Sequence, residues 1–318
     1  SVSASAVNLT YKNAPLTLGA NSALVTGNGA GKVNVTASGG NLVYSGANVS
    51  ANGVSFTSTG TISQTAPVTT SVLYTSSAGG TTLTADNVVG TYSGVNTGSG
   101  NLAFKSVKTG GLVLAGPAAT AVQNLAATGD INITSAGAGA LSVNGAVSSL
   151  RNVSFSSAGA INATSKLTGA GLNSVSVGGA SYTGSNQIAT VVNMSNTGSG
   201  NVVFNNTAAP LTIEAMSNSA GNVTVDNTGA VVINGPMTAS GALSVTAHSP
   251  ITVTSTGSVK AGGDLDLIAS STSFRSTIDL LTIGGEVLSD NGNIGLFGGS
   301  GIAVTAKVTA TNGNVVVD

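Results

Sequence analysis

The chain has 318 residues with a net charge of −1, and only 6% of its residues are charged, against roughly 25% in ordinary globular proteins. This composition provides no basic surface for nucleic acid and no polybasic patch for a membrane surface, while a 41% hydrophobic fraction argues against disorder. Cysteine is absent, which excludes disulfides and thiolate metal sites, and no apolar run approaches the roughly 18 residues of a membrane span.

Two stretches of the sequence are nearly repeated about 100 residues later. Residues 54–69 read VSFTSTGTISQTAPVT and residues 153–168 read VSFSSAGAINATSKLT, while NTGSGNLAFKS at 96–106 returns as NTGSGNVVFNN at 196–206. The offsets are 99 and 100 residues, so a block of structure has been duplicated. Four phenylalanines occupy matching positions in the two blocks, and we expect them to point inward: Phe56, Phe104, Phe155 and Phe204.

A finer repeat runs through residues 200–317. A glycine, a polar or small residue and an apolar–x–apolar triplet recur at Gly200, Gly221, Gly241, Gly263, Gly292 and Gly313. A second alternating run follows most of these triplets (PLTI, AVVI, PITV and GIAV), and a third, weaker run carries Met237, Val259, Val287 and Val308. Alternation of period two indicates short strands with one buried face.

Three short strands in each repeat predict an all-β fold, a single-stranded right-handed parallel β-helix with about 20–22 residues per coil. At this spacing the chain makes roughly fifteen coils. We expect residues 1–318 to form one continuous solenoid, either a fragment of a longer shaft or one unit of a fibre. A single coil cannot bury its apolar face, so the core exists only by stacking.

The segment GALSVTAHSPITVTSTGSVKAGGDLDLIA, residues 241–269, resembles the shaft repeats of filamentous-haemagglutinin-like adhesins. Gram-negative bacteria export these proteins by two-partner secretion. The resemblance implies an extracellular or cell-surface location, an outer-membrane transporter during export, and attachment to a glycan or protein receptor on a host cell or in a matrix. It implies a non-enzymatic structural or adhesive role, such as the shaft of a secreted adhesin or a biofilm fibre.

Residues 270–286, SSTSFRSTIDLLTIGGE, lengthen one repeat to 29 residues and predict a loop insertion. Insertions in solenoids map to surface loops, where binding residues concentrate. Phe274, Arg275, Asp279 and Glu286 form the candidate binding loop, for which a sugar is one expected ligand. A plain surface loop is the favoured interpretation of this segment, ahead of the binding loop, and an enzymatic acid cluster is the third.

Other polar residues offer weaker candidates. His248, beside Ser249, is expected to be an ordinary turn residue, because adjacency in sequence does not build a catalytic relay. Asp264 and Asp266 should point outward from one strand, but two carboxylates fall short of a calcium site, which takes six to eight oxygen ligands. We therefore expect no catalytic residue, metal or cofactor.

Nine N-x-[ST] sequons occur, and Asn34, Asn132 and Asn222 represent the possible glycosylation sites. Strands that alternate asparagine, an apolar residue and a hydroxyl residue also produce such sequons without any modification.

Two other functions remain open from the sequence. Residues 1–207 carry six basic and two acidic residues, whereas residues 208–318 carry three and eight, so a subunit that stacks head-to-tail into filaments is the main alternative. A polysaccharide-degrading β-helix enzyme is a weaker one. An ice-binding solenoid would need Thr-x-Thr in every coil, and the matches at 82–84 and 252–254 do not recur in register.

Overall fold

The computed structural model describes residues 6–13, 15–26, 31–116, 119–270 and 279–318. Within these ranges the protein is all-strand, without a helix, and parallel strands stack about 21 residues apart as a β-solenoid of about 13 turns. The predicted fold class is therefore confirmed. There are fewer turns than the fifteen expected because some coils are longer: Leu102 pairs with Ile131 and Leu265 with Ile294.

The chain divides into two compact units, Ser1–Gly159 and Ala160–Asp318. The strands of the first unit are β1 (Ala6–Tyr11), β2 (Leu16–Gly19), β3 (Ala23–Val25), β4 (Lys32–Ala37), β5 (Leu42–Ser45), β6 (Asn48–Ser50), β7 (Gly53–Ser58), β8 (Ile62–Gln64), β9 (Thr69–Ser77), β10 (Thr81–Asn96), β11 (Leu102–Ser106), β12 (Leu112–Leu114), β13 (Thr120–Asn124), β14 (Ile131–Ser135), β15 (Leu141–Val143), β16 (Ala146–Ser149) and β17 (Asn152–Ser157). Those of the second unit are β18 (Ile161–Ala163), β19 (Leu167–Ser176), β20 (Ala180–Asn196), β21 (Val202–Asn206), β22 (Leu211–Ile213), β23 (Met216–Asn218), β24 (Val223–Asn227), β25 (Val231–Ile233), β26 (Pro236–Ala239), β27 (Leu243–Ala247), β28 (Ile251–Val253), β29 (Ser258–Ala261), β30 (Leu265–Ala269), β31 (Leu280–Ile283), β32 (Val287–Ser289), β33 (Ile294–Gly298), β34 (Gly301–Val304), β35 (Val308–Ala310) and β36 (Val315–Val317).

The three alternating runs of the sequence form three columns of parallel strands in the second unit. The first column joins Val202, Val223, Leu243, Leu265, Ile294 and Val315 in direct register. The second joins Leu211, Val231, Ile251, Leu281 and Ile302, and the third joins Met216, Met237, Val259, Val287 and Val308. Parallel strand pairing and the stacking of like residues hold one coil on the next, and the apolar side chains of each column are buried as far as Leu281, Val287 and Ile294.

The four phenylalanines shared by the duplicated blocks all point into the core, as predicted. Phe56, Phe104, Phe155 and Phe204 are each fully buried. Phe56 lies in β7 of the first unit, in register with Thr75 of β9. Large aromatic side chains fill the interior of the coils in both units and contribute much of the buried apolar area.

The residue that follows the glycine in the sequence repeat has a defined structural role. Asn201 accepts a hydrogen bond from the Asn222 N–H (3.0 Å) through its side-chain oxygen, and Asn222 in turn accepts one from the Ala242 N–H (2.9 Å). Asp264 and Asn293 do the same for the coils that follow them, at 2.8 and 3.0 Å. The polar position of the repeat therefore links the turn of one coil to the turn of the next.

A second set of asparagines is buried inside the coils. Asn206 accepts from the Ile188 N–H (2.9 Å) and donates to Ile188 O (3.1 Å) and Asn227 Oδ1 (3.0 Å). Asn196 donates to Asn218 Oδ1 in the same way, at 2.9 Å, and Asn96 to Asn124 Oδ1 in the first unit, also at 2.9 Å. These amides satisfy backbone groups where strands turn a corner, since buried polar groups are costly without partners.

A buried Thr or Ser hydroxyl at equivalent positions of the two blocks is hydrogen-bonded to a different tyrosine in each block. In the first unit, Thr75 Oγ1 lies 2.8 Å from the Tyr92 hydroxyl. In the second, the equivalent Ser174 accepts a hydrogen bond of 2.7 Å from Tyr182, which occupies the position of Leu83, not that of Tyr92.

The residues around each tyrosine compensate for this exchange. Gly94 makes room for Tyr92, because an added Cβ would lie 2.5 Å from the tyrosine oxygen. The second unit has Met194 in place of Gly94 and the smaller Val191 in place of Tyr92. Core volume and hydrogen bonding are thus preserved by several changes made together.

Burial raises the pKa of both Tyr92 and Tyr182 well above the ordinary tyrosine value of about 10. Above that pH the unfolded chain loses these protons while the folded chain keeps them, so the free energy of unfolding falls as pH rises. We expect the melting temperature to decrease above about pH 10, and to decrease less steeply when both residues are changed to Phe. Circular-dichroism melts across alkaline pH test this, and an unchanged slope would contradict it.

Candidate functional site

The predicted binding loop is described only in part. Phe274 and Arg275 lie outside the described residues, which resume at Asp279. Asp279 is 3% exposed, and its backbone carbonyl accepts a hydrogen bond of 3.1 Å from the Ser300 N–H. Glu286 is exposed and lies beyond β31, which is a core strand within the predicted insertion 270–286. The two acids are therefore in different environments, and only Glu286 faces solvent.

The outward carboxylates Asp264 and Asp266 have separate roles. Asp264 links its coil to the next through the Asn293 N–H, as described above. Partial burial raises the pKa of Asp266, and the neighbouring charge of Asp264 raises it further. Among the described residues, no group of three or more His, Cys, Asp or Glu side chains could hold a metal ion.

His248 lies in the bend after β27, in agreement with the turn predicted there. Its Nε2 is 3.1 Å from Asp226 Oδ1 on the preceding coil, and both side chains are partly exposed. They border a shallow depression of about 170 Å³. The pair links two coils at the surface.

The three sequon asparagines differ in how free their amides are. Asn132 is exposed on β14. Asn34 donates to Asn8 Oδ1 (2.8 Å), and Asn222 accepts from the Ala242 N–H. A sugar attached at Asn222 would have to replace a contact between coils, so Asn132 is the most accessible of the three for modification.

A concave groove lies on the first unit. It has a volume of about 420 Å³ and lies on the outer face of β4, β7, β9 and β10, with Ala115 and Gly116 at one end. Sites for small molecules are usually concavities of roughly 300–1,000 Å³, so the groove is large enough to hold a ligand.

Two rows of outward side chains line this groove, one residue from each coil. One row runs Lys32, Gly53, Val72, Thr91, and the other runs Asn34, Ser55, Tyr74, Ser93. The inward residues between the rows, such as Val54, belong to the core. The strand period of two thus separates core from groove along every strand.

Gly53 leaves a gap in the first row. A Cβ added to Gly53 would find only Lys32 Cγ within 4 Å, at 3.6 Å, so a larger side chain fits there without a backbone clash. In the duplicated block the matching position is Asn152, and the position that matches Tyr74 is Asn173. The groove therefore depends on residues that are particular to the first block.

The polar groups of the groove are largely unused within the protein. The side chains of Ser55, Tyr74, Thr91 and Ser93 make no hydrogen bond to any residue that the structure describes. Ser93 is only 4% exposed and yet lines the groove. Lys32 is exposed and forms no ion pair within the described ranges. Such groups are free to bind a ligand.

No motif in the sequence predicts this groove. Its residues come from five successive coils and share no motif, so only the stacking register brings them together. One indication was available: Tyr74 follows the inward Leu73, which makes it an outward aromatic residue in a chain with only 3% aromatics.

Comparison with models of protein families, with curated proteins and with solved structures finds no match to this chain. No helix among the described residues is long and apolar enough to cross a membrane. The fold, the geometry of the surface and the sequence repeats are therefore the basis for a functional proposal.

Proposed function

We propose that this chain is a structural segment of an extracellular or cell-surface β-solenoid, part of the shaft of a secreted bacterial adhesin or of a biofilm matrix fibre. The observation that carries the proposal is the unbroken register of three strand columns through the second unit. Each coil adds about 4.8 Å along such a stack, so a solenoid built this way is a spacer whose length is set by its number of coils.

The outer surface supports the same role. Strand positions that face outward are mostly Ser, Thr and Asn, and the few charges are spread along the chain. Such a surface stays hydrated and carries no extended basic patch. The resemblance of residues 241–269 to adhesin shaft repeats agrees with this role, with an outer-membrane transporter as the export partner and a Gram-negative bacterium as the source.

Antibodies against the purified chain provide the test. We expect them to label intact cells of the organism that makes the protein, and we expect protease added outside the cells to remove the label. A cytoplasmic protein of the same organism is the control and should be labelled only after permeabilisation. Labelling of this protein that also requires permeabilisation would contradict an extracellular role.

A further inference from the structure

We propose that the groove across β4, β7, β9 and β10 binds a short acidic oligosaccharide, with a sugar ring against Tyr74 and a uronic-acid carboxylate at Lys32. This inference deepens the proposed function, on which its biological setting rests, because it would give the solenoid an adhesive face. Binding itself can be measured on the isolated chain and does not depend on where the protein is located.

The chemistry of the lining points to a saccharide. Ser55, Thr91 and Ser93 offer hydroxyl groups, and Asn34 an amide, across four successive coils. Sugar hydroxyls both donate and accept hydrogen bonds, as these side chains do. Because Ser93 is almost completely buried and has no partner in the described structure, it should gain a hydrogen bond from a ligand group that reaches the floor.

Apolar surface complements these polar groups. Tyr74 is half-buried, and Val72, two residues before it, is 40% exposed, so an aromatic and an aliphatic side chain lie along the same groove. The C–H faces of a sugar ring pack on surfaces of this kind. Clusters in which aromatic anchors sit among satisfied polar contacts carry most of the affinity in binding sites.

The charge of the groove selects an acidic ligand. Lys32, which lies beside Gly53, is the one cationic side chain among the lining residues of the groove. No Asp or Glu is among them. A carboxylate placed at Lys32 would form a charge-assisted hydrogen bond, which is stronger than a neutral one. Because Lys32 is exposed, we expect this contribution to be modest and to weaken with salt.

The test is calorimetry and saturation-transfer NMR with a tetrasaccharide of alternating glucuronic acid and N-acetylglucosamine. The intact chain should bind it, and Tyr74→Asn and Gly53→Asn, which introduce the residues of the duplicated block, should each weaken binding by about tenfold or more. Tyr11→Asn is the matched control, because Tyr11 is a 42% exposed tyrosine on β1 outside the groove, and it should bind like the parent. Thermal melts confirm that each variant is folded.

A neutral tetrasaccharide of N-acetylglucosamine tests the role of Lys32. The parent should prefer the acidic probe, and Lys32→Gln should remove that preference while leaving the neutral probe's affinity unchanged. No binding of the acidic probe, or full affinity in both Tyr74→Asn and Gly53→Asn, would overturn the site, and equal affinity for both probes would overturn the assignment of an acidic ligand. If antibodies label the protein on intact cells but the chain does not bind the acidic probe, the shaft role stands and the proposed groove site is wrong.

Discussion

Val223→Asp should unfold the second unit at ordinary temperature. Val223 is 1% exposed and sits between Val202 and Leu243 in the first column of strands. A carboxylate at that position would be a buried charge without a partner, which costs at least about 3 kcal/mol. The measurement is a thermal or denaturant melt followed by circular dichroism.

Thr224→Asp is the matched control for this variant. Thr224 is the next residue of the same strand and is exposed. The same new charge should therefore change the free energy of unfolding by less than about 1 kcal/mol. Equal losses in the two variants would contradict the assignment of inward and outward positions.

Asn206→Ala should also be strongly destabilising, although asparagine is a polar residue. The substitution leaves the Ile188 N–H and the Asn227 side-chain oxygen without their partner inside the coils. Each buried group left unsatisfied costs roughly 1–3 kcal/mol, so we expect a loss of about 2–4 kcal/mol in the free energy of unfolding.

The adjacent asparagine makes a close comparison. The side chain of Asn205 lies on the outer face of β21 and makes no hydrogen bond to the described residues, while its backbone carbonyl, which Asn186 contacts, survives the change to alanine. Asn205→Ala should cost under about 0.5 kcal/mol. If both alanine variants melt at the same temperature, the buried amides are not structural links.

Much of the fold follows from the periodicity of the sequence. The three runs that begin at Gly200 and recur through Gly313 predict the three columns in their observed register, because only one register keeps Val, Leu and Ile inside every coil. The duplication likewise predicts the inward direction of Phe104 and Phe204. Apolar alternation is a strong constraint in a fold where each strand has one buried face.

Polar residues were harder to place from the sequence. The alternation of Val202 and Phe204 continues to Asn206, which is buried while Asn205 is partly exposed, but a polar residue at the end of a strand does not show that the buried face extends to it. Asp279 was expected in a solvated loop, but it is buried just before β31. The position of a polar side chain depends on where the strand turns a corner, and that depends on contacts with coils some 20 residues away.

The groove could not be predicted for a related reason. Lys32, Gly53 and Tyr74 lie on three successive coils. They form one surface because a coil of 21 residues places Gly53 beside Lys32, and a coil of 19 residues places Tyr74 beside Ser55. A change of one residue in either coil length would move them apart. The residues next to each of these three positions in the sequence do not show that the coil lengths match.

The two tyrosine arrangements around the hydroxyls of Thr75 and Ser174 restrict recombination between the gene segments that encode the two blocks. A crossover between the positions of Leu83 and Tyr92 would join the start of one block to the end of the other. One product would carry Tyr182 together with Tyr92 at a single hydroxyl, and the other would carry Leu83 together with Val191 and bring no tyrosine to it. Gene conversion within this interval should therefore yield products that are less stable than those of a crossover that transfers the whole coil.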